Sequence, residues 1–269
     1  MPHGSRARRE EIVARATTVG LASVDELAVS FGVTASTIRR DLARLTAEGR
    51  LARTYGGAIS LSSLPEATLR QRAGEAFEAK LAIAEWAARV VRPGESVLLD
   101  AGSTVATLAH ALRSSSGLRV ATASLAVIGE LGDVPEVELE CLGGRLRPLS
   151  QAFFGPLTES ALERLTFDRA FLSADGVTPT GICEAEPTQT RLKELMARQS
   201  RHVYVLAHGA KIGHRPYDYW ARFESPWTLV TDDSAPRSEL DAFERAGVEV
   251  VVLDPSVVSI PDARREETA

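Results

Sequence analysis

The chain has 269 residues, 44% hydrophobic and 25% charged, enough apolar material for two packed units and too much for wholesale disorder. Its net charge of −5 argues against a protein that coats nucleic acid along its whole length, and its two cysteines, Cys141 and Cys183, exclude a disulfide framework or a paired-thiol metal site, so that both read as small buried hydrophobes. No run approaches the ~18–20 apolar residues of a membrane span, and the first residues lack the apolar centre of a signal peptide, so a cytoplasmic protein with no membrane partner is expected.

The charge is unevenly divided. Residues 1–57 hold nine Arg against six Asp or Glu, giving +3, and the other 22 Lys or Arg stand against 30 Asp or Glu, giving −8. A basic head on an acidic body points to a small unit facing a polyanion.

Within the head, Ile12, Ala16 and Val19 recur at helical spacing, as do Val24, Leu27, Ala28 and Phe31, and Gly20 and Gly32 stop the two helices. Ser23 with Glu26 reads as a capping box for the second. Thr34 caps a third helix, which runs to Glu48 and is halted by Gly49. On a helical wheel Ile38, Leu42 and Leu45 form one stripe. Ser36, Thr37, Arg40 and Arg44 lie opposite, with Arg39 at the flank. Such an outer face can donate to phosphate oxygens, and an arginine can grip guanine with two parallel bonds. Asp41 is expected to pair with Arg44 or to stiffen the neighbouring arginines. "GRLARTYGGAIS" alternates as a hairpin would, placing Arg50 and Arg53 on a wing.

These motifs carry a resemblance. "ASTIRRDLARLTAEGRLARTYGGA" resembles the winged helix-turn-helix of DeoR-type transcriptional regulators in its TIRRDL core and Gly-Gly-Ala ending. Tyr55 stands where that family usually has a histidine, leaving a backbone or stacking contact to DNA. The reading gives a DNA-binding domain at 1–57, a linker at 58–74, where "SLSSLPEATLRQRAGEA" has no apolar period, an α/β domain at 75–260 and a tail at 261–269.

After the linker, helical stretches alternate with the apolar runs "SVLLDAG", "LRVATAS", "VELECLGG", "RAFLSADG", "HVYVLAHG", "WTLVTDD" and "VEVVVLDP". That alternation predicts a doubly wound, mostly parallel α/β sheet. Each run ends in small or polar residues, so one crevice is expected beyond the carboxyl ends of the strands. There "DAGST" leads into a helix, and the N–H groups near Gly102, Ser103 and Thr104 suit a phosphate or carboxylate, although Ser103 or Thr104 serves equally as a plain cap. Gly102 would let the anion approach. Lys211 is the one lysine of three that follows a strand. Arg145 offers a second cation or holds its loop, and Asp175 with Gly176 offers a hydroxyl acceptor or a plain turn. Glu184 and Glu186, ahead of a helix start at Pro187, suit a helix amino end without binding anything.

No GxGxxG, GxxxxGK[ST], HExxH or CxxC occurs, so neither cofactor nor metal is expected. An isomerase-like enzyme using Asp100, Asp175 and Lys211 for proton transfer is the alternative. The resemblance continues through "VLLDAGSTVATLA", "LGGRLRPLSQAFFGP", "FDRAFLSADGVTPTGICEAE" and "RLKELMARQSRHVYVLAHGAK", which look like the DeoR-type sensor domain. Such domains are related to ribose-phosphate isomerases and bind phosphorylated sugars. It implies a homo-oligomeric repressor on double-stranded operator DNA, not an enzyme, with Asp100, Gly102, Ser103, Thr104, Gly144, Arg145, Asp175, Gly176 and Lys211 as effector-site residues. Where the family commonly reads Ala-Asp-Ser-Ser-Lys, this chain has His208, Gly209 and Ala210 before Lys211. Where Thr-Asn-Ser is usual it has Ala123, so fewer hydrogen-bonding groups are expected in the pocket.

Overall fold

The computed structural model describes residues 8, 9, 11, 12, 22–47, 51–54, 57–60 and 67–257, the side chains of residues 22, 23, 25, 26, 43, 46, 47, 51–54, 57–60 and 70 excepted. The chain divides into two compact units, Met1–Glu66 and Ala67–Ala269.

In the first unit, strand β1 (Ala22–Ser23) leads into α1 (Val24–Phe31) and then α2 (Ala35–Ala47). Gly32 adopts φ +62°, the left-handed turn that a side chain resists, and the N–H of Val33 closes back on Ala28 O at 3.1 Å. Thr34 caps α2 as expected, its hydroxyl accepting from Thr37 N–H at 3.3 Å. Ile38, Leu42 and Leu45 are buried against Ile12 and Leu27 in a small core that Phe31 and Val24 flank. Strands β2 (Leu51–Thr54) and β3 (Gly57–Ser60) form the hairpin, and β1 adds to the free side of β3. Because β3 runs to Ser60, a boundary at residue 57 would cut the wing in two. Ala16, Val19, Gly20, Glu48, Gly49, Arg50, Tyr55, the Glu26 side chain and the tail at 261–269 lie outside what is described.

The second unit is built on a seven-stranded sheet in the order β15-β14-β12-β9-β4-β5-β6, every pairing parallel. Its strands are β4 (Ser96–Leu99), β5 (Leu118–Thr122), β6 (Val137–Cys141), β9 (Phe167–Leu172), β12 (Ser200–Leu206), β14 (Trp227–Asp232) and β15 (Glu249–Leu253). They are the seven apolar runs of the sequence. Helices α4 (Phe77–Val90), α5 (Ser103–Ala111) and α6 (Leu125–Leu131) cover one face, and α7 (Pro156–Leu162), α8 (Pro187–Arg198) and α9 (Arg237–Arg245) cover the other. Within β4 the two-residue period sends Val97 and Leu99 to the first core and Leu98 to the second. The chain reverses its winding between β4 and β9, so the crevice of a doubly wound sheet opens at the carboxyl ends of these two strands.

Two small sheets stand apart from the seven runs. β7 (Arg145–Arg147) pairs with β8 (Ala152–Phe154), and β10 (Gly176–Thr178), β11 (Gly181–Glu184) and β13 (Tyr219–Ala221) form an antiparallel sheet. The stretch read as linker contains β3 and, in the second unit, α3 (Leu69–Ala73), which Leu69 ties down by donating to Leu149 O at 3.0 Å. Of the two cysteines, Cys183 is buried but Cys141 is exposed, because β6 is the sheet edge and its last residue has no neighbour to cover it.

Candidate DNA-binding face and ligand crevice

On α2 the outward residues are Ser36, Arg39, Arg40 and Arg44, all exposed, with Thr37 half-buried beside them. The hydroxyls of Ser36 and Thr37 lie 2.9 and 3.0 Å from that of Thr34. Asp41 turns the other way. It is 6% exposed, accepts from Arg8 Nε at 2.7 Å and lies 3.6 Å from Arg9 Nη1. The carboxylate expected to serve the arginines of its own helix instead clamps α2 to the helical turn at residues 8–12, where burial makes a charged hydrogen bond worth more than on a solvated face. Arg53 lies in β2 with its side chain outside the described set.

At the carboxyl end of the parallel sheet, the three lysines of the chain converge from α4, α8 and the turn after β12. Lys193 Nζ lies 2.7 Å from Asp100 Oδ2 and 2.5 Å from Glu184 Oε1, and donates to Ser173 O at 2.7 Å. Asp100 Oδ2 accepts in addition from the N–H and hydroxyl of Ser173, at 2.9 and 3.0 Å. Burial pulls the Lys193 ammonium down, but Asp100 and Glu184 more than offset it and hold it above its ordinary value. Burial raises the Glu184 carboxyl against the pull of Lys193. Asp100 Oδ2 is thus held by Ser173 and Lys193, and this network braces the crevice floor.

A second group of charges lies beside it. Arg72 Nη1, from α3, donates to Asp175 Oδ1 at 3.0 Å. Lys80 Nζ donates to the carbonyl of Arg72, and Lys211 Nζ to that of Ala174. Burial and the neighbouring Lys211 push Lys80 down to about 8. Burial lowers Lys211 too, with Asp175 opposing and Arg72 assisting. His208 is pushed down to about 4 by burial and by Lys211 and Lys80, so it is neutral near pH 7. Across the cluster, four cations (Arg72, Lys80, Lys193 and Lys211) stand with Asp100, Asp175 and Glu184, while Glu75 acts on Lys80 and Asp232 on His208, so cations and carboxylates are closely matched. Asp175 Oδ2 and His208 Nε2 are both buried without a hydrogen-bond partner among the described residues. Such groups are costly unless something else satisfies them.

The other expected residues fall into three positions. Gly102 has φ +155°, and a Cβ there would lie 2.5 Å from Ser173 Cβ, so packing against Ser173 by itself requires the glycine. Gly102 itself is the cap of α5, with Ser103 half-buried and Thr104 buried in the first turn, so neither hydroxyl caps the helix. A Cβ on Gly144 would meet Thr158 Oγ1 at 2.2 Å, and one on Gly176 would meet His214 O at 2.2 Å, which makes both packing positions. Arg145 lies exposed in β7, whose partner strand β8 bridges to Ser124 just past the end of β5. Glu186 starts α8 and accepts from Arg147 Nε at 3.0 Å. Clefts of about 170 and 250 Å³ lie elsewhere, beside Glu194 and Phe223 and beside His202 and Trp227.

Arg72, Lys80, Ser173, Glu184, Lys193 and His208 complete the crevice. Composition held a signal for two of them, Lys80 and Lys193: lysine is so rare here that these two and Lys211 mark one place.

Comparison with known proteins agrees with this division of labour. Residues 8–64 match the DeoR-like helix-turn-helix domain, and residues 75–233 the DeoR C terminal sensor domain. The chain belongs to the DeoR family of transcriptional regulators. It is 29% identical to a putative aga operon transcriptional repressor of Escherichia coli O157:H7, over 93% of this chain and 94% of that one. It is 31% identical to the HTH-type transcriptional regulator GlpR of Haloferax volcanii, over 91% and 96%, and 28% identical to the lactose phosphotransferase system repressor of Lactococcus lactis, over 89% and 96%. Among solved structures, ribose 5-phosphate isomerase A of Methanocaldococcus jannaschii aligns over 49% of this chain and 52% of that one, at a TM-score of 0.37 and 19% identity, too slight a likeness to bear on function.

Proposed function

We propose that the protein is a cytoplasmic repressor of carbohydrate-metabolism genes, and that a phosphorylated sugar bound at the carboxyl end of β4, β9 and β12 lowers its affinity for operator DNA. One observation carries the reading: a crevice that gathers Lys80, Lys211 and Arg72 and in which Asp175 Oδ2 and His208 Nε2 are buried without a hydrogen-bond partner among the described residues. A phosphate suits the grouped donors of Lys80, Lys211 and Arg72, and sugar hydroxyls answer Asp175 Oδ2 and His208 Nε2. Relatives named as repressors of the aga operon and of a lactose phosphotransferase system support the sugar assignment. The exposed Ser36, Arg39, Arg40 and Arg44, with Thr37 and the wing residues Arg50, Arg53 and Tyr55, would meet the duplex, and homo-oligomers would pair two heads with two half-sites. An isomerase reading is weaker, because Asp100, one of its acid–base groups, is held by Ser173 and Lys193.

The test combines thermal shift against a panel of aldose and ketose phosphates with anisotropy titration of a duplex from the protein's own upstream region. A sugar phosphate that stabilises the protein should also release the DNA. Lys211→Ala should weaken that sugar phosphate by about tenfold or more, equivalent to about 1.4 kcal/mol, while operator affinity stays within about twofold. An unaltered response would move the anion site elsewhere, and turnover of the sugar phosphate would favour the enzyme.

A further inference from the structure

The crevice is covered by a side chain that arrives from the wrong direction for a floor residue. Arg72 stands on α3, a few residues past the boundary at Glu66–Ala67, on the segment by which the chain enters the sensor unit. Its side chain is 14% exposed and that of its partner Asp175 10% exposed. We propose that Arg72 is itself an anion-binding residue of the effector site, so that occupancy of the crevice acts directly on the segment coming from the DNA-binding unit. This rests on the reading that the crevice takes a phosphorylated ligand.

The argument begins with how little holds α3. Five residues cannot form a stable helix alone. Besides its packing against α5, four polar ties are seen among the described residues. One is the capping box, in which Gln71 N–H donates to Thr68 Oγ1 at 3.3 Å and Thr68 N–H to Gln71 Oε1 at 2.8 Å. Another is the bond from Leu69 to Leu149 O. The remaining two both belong to Arg72 and both run into the crevice: its guanidinium to Asp175 and its carbonyl to Lys80. Beyond α3 the chain turns through Ala76 at φ +48°, a left-handed conformation that costs a non-glycine residue about 1 kcal/mol. This joint persists only while its surroundings hold it.

A phosphate among Lys80, Lys211 and Arg72 changes two of Arg72's ties at once. It draws the Lys80 ammonium from the carbonyl of Arg72, and it competes with Asp175 for a guanidinium whose planar fork suits phosphate oxygens. A ligand whose hydroxyl donates to Asp175 Oδ2 must enter beside Arg72, because that side chain covers the carboxylate. Binding energy is thereby delivered to α3, which the ligand and the chain connection both reach.

The experiment uses the full-length chain and inorganic phosphate at constant ionic strength, with phosphate affinity read from thermal shift and hydrogen exchange followed across residues 69–76. Phosphate should stabilise the wild type and alter exchange in that stretch, and Lys211→Ala should abolish both. Arg72→Gln should weaken phosphate about tenfold or more and remove the exchange response. Because Arg72→Gln leaves Asp175 uncompensated, Arg72→Gln/Asp175→Asn is compared with Asp175→Asn alone, and the same loss is expected between them. If phosphate acts on the wild type, fails on Lys211→Ala and binds the Arg72 variants undiminished, the crevice reading stands and the role of Arg72 is overturned. If phosphate leaves the wild type unaltered, the crevice reading fails and the proposal falls with it.

Discussion

At position 209 a side chain has no room. A Cβ built there would lie 2.3 Å from Ser234 Oγ, 2.4 Å from Ala235 N and 2.7 Å from Ser234 C, and the N–H of Gly209 donates to Asp232 Oδ1 at 2.6 Å. The residues that seemed to strip hydroxyls from "AHGAK" therefore answer a close approach of the turn after β14, which brings the Ser234 hydroxyl to that place. Gly209→Ser restores the more common residue and should nonetheless destabilise the sensor unit by about 1–3 kcal/mol, since two of the three obstructing atoms are backbone and cannot swing aside. Urea denaturation checks this. An undiminished midpoint would mean that the turn yields.

On the scale of an element, α2 places adjacent residues in opposite roles. Arg40 is exposed and Asp41 buried, so single substitutions at the two positions should separate binding from folding. Arg40→Ala should weaken operator binding by about 1–3 kcal/mol if the side chain reads a base, and shift stability by no more than about 0.5 kcal/mol. Asp41→Asn should do the reverse. Losing charged bonds to Arg8 and Arg9 should cost the N-terminal unit about 1–3 kcal/mol, with operator affinity per folded molecule unchanged. Anisotropy and chemical denaturation of both variants decide it. The wheel showed which face of α2 is apolar, but Asp41 sits close enough to the edge of the stripe that only its partners, 33 and 32 residues away, settle where it points. The central strands were legible because burial on both faces writes an apolar segment, as in β4 and β14, while the edge strands β6 and β15 keep charged residues and were legible from their place in the alternation. The sheet of β10, β11 and β13 was not legible, because its strands have three or four residues and Ile182 finds its partner at Ala221.

For the whole molecule, charge and pH are the relevant levers. Among the described residues no helix is long and apolar enough to cross a membrane. His208 has a folded value of about 4, below its ordinary 6.5, so the unfolded chain takes up the proton first. Stability from this group is complete above about pH 6.5 and is lost as pH falls towards 4, a contribution on the order of 3 kcal/mol at most. His208→Gln should flatten the stability profile between those limits and leave the alkaline side unaltered, as denaturation at a series of pH values will show. A slope equal to that of the wild type would assign the acid sensitivity to other groups.

The sequence alone determined the basic head, the arginine face, the doubly wound order of apolar runs and the strand ends where a ligand would sit, because helical and strand periodicities and local charge are properties of neighbouring residues. The tertiary structure decided which of those end residues meet. It drew Lys80, Lys193 and Lys211 together from distant segments, turned Asp100 and Asp41 inward, and brought Arg72 out of an apparent linker to cover Asp175. Side chains far apart along the chain are joined only by the fold, and a charge is oriented by the partner that burial obliges it to find.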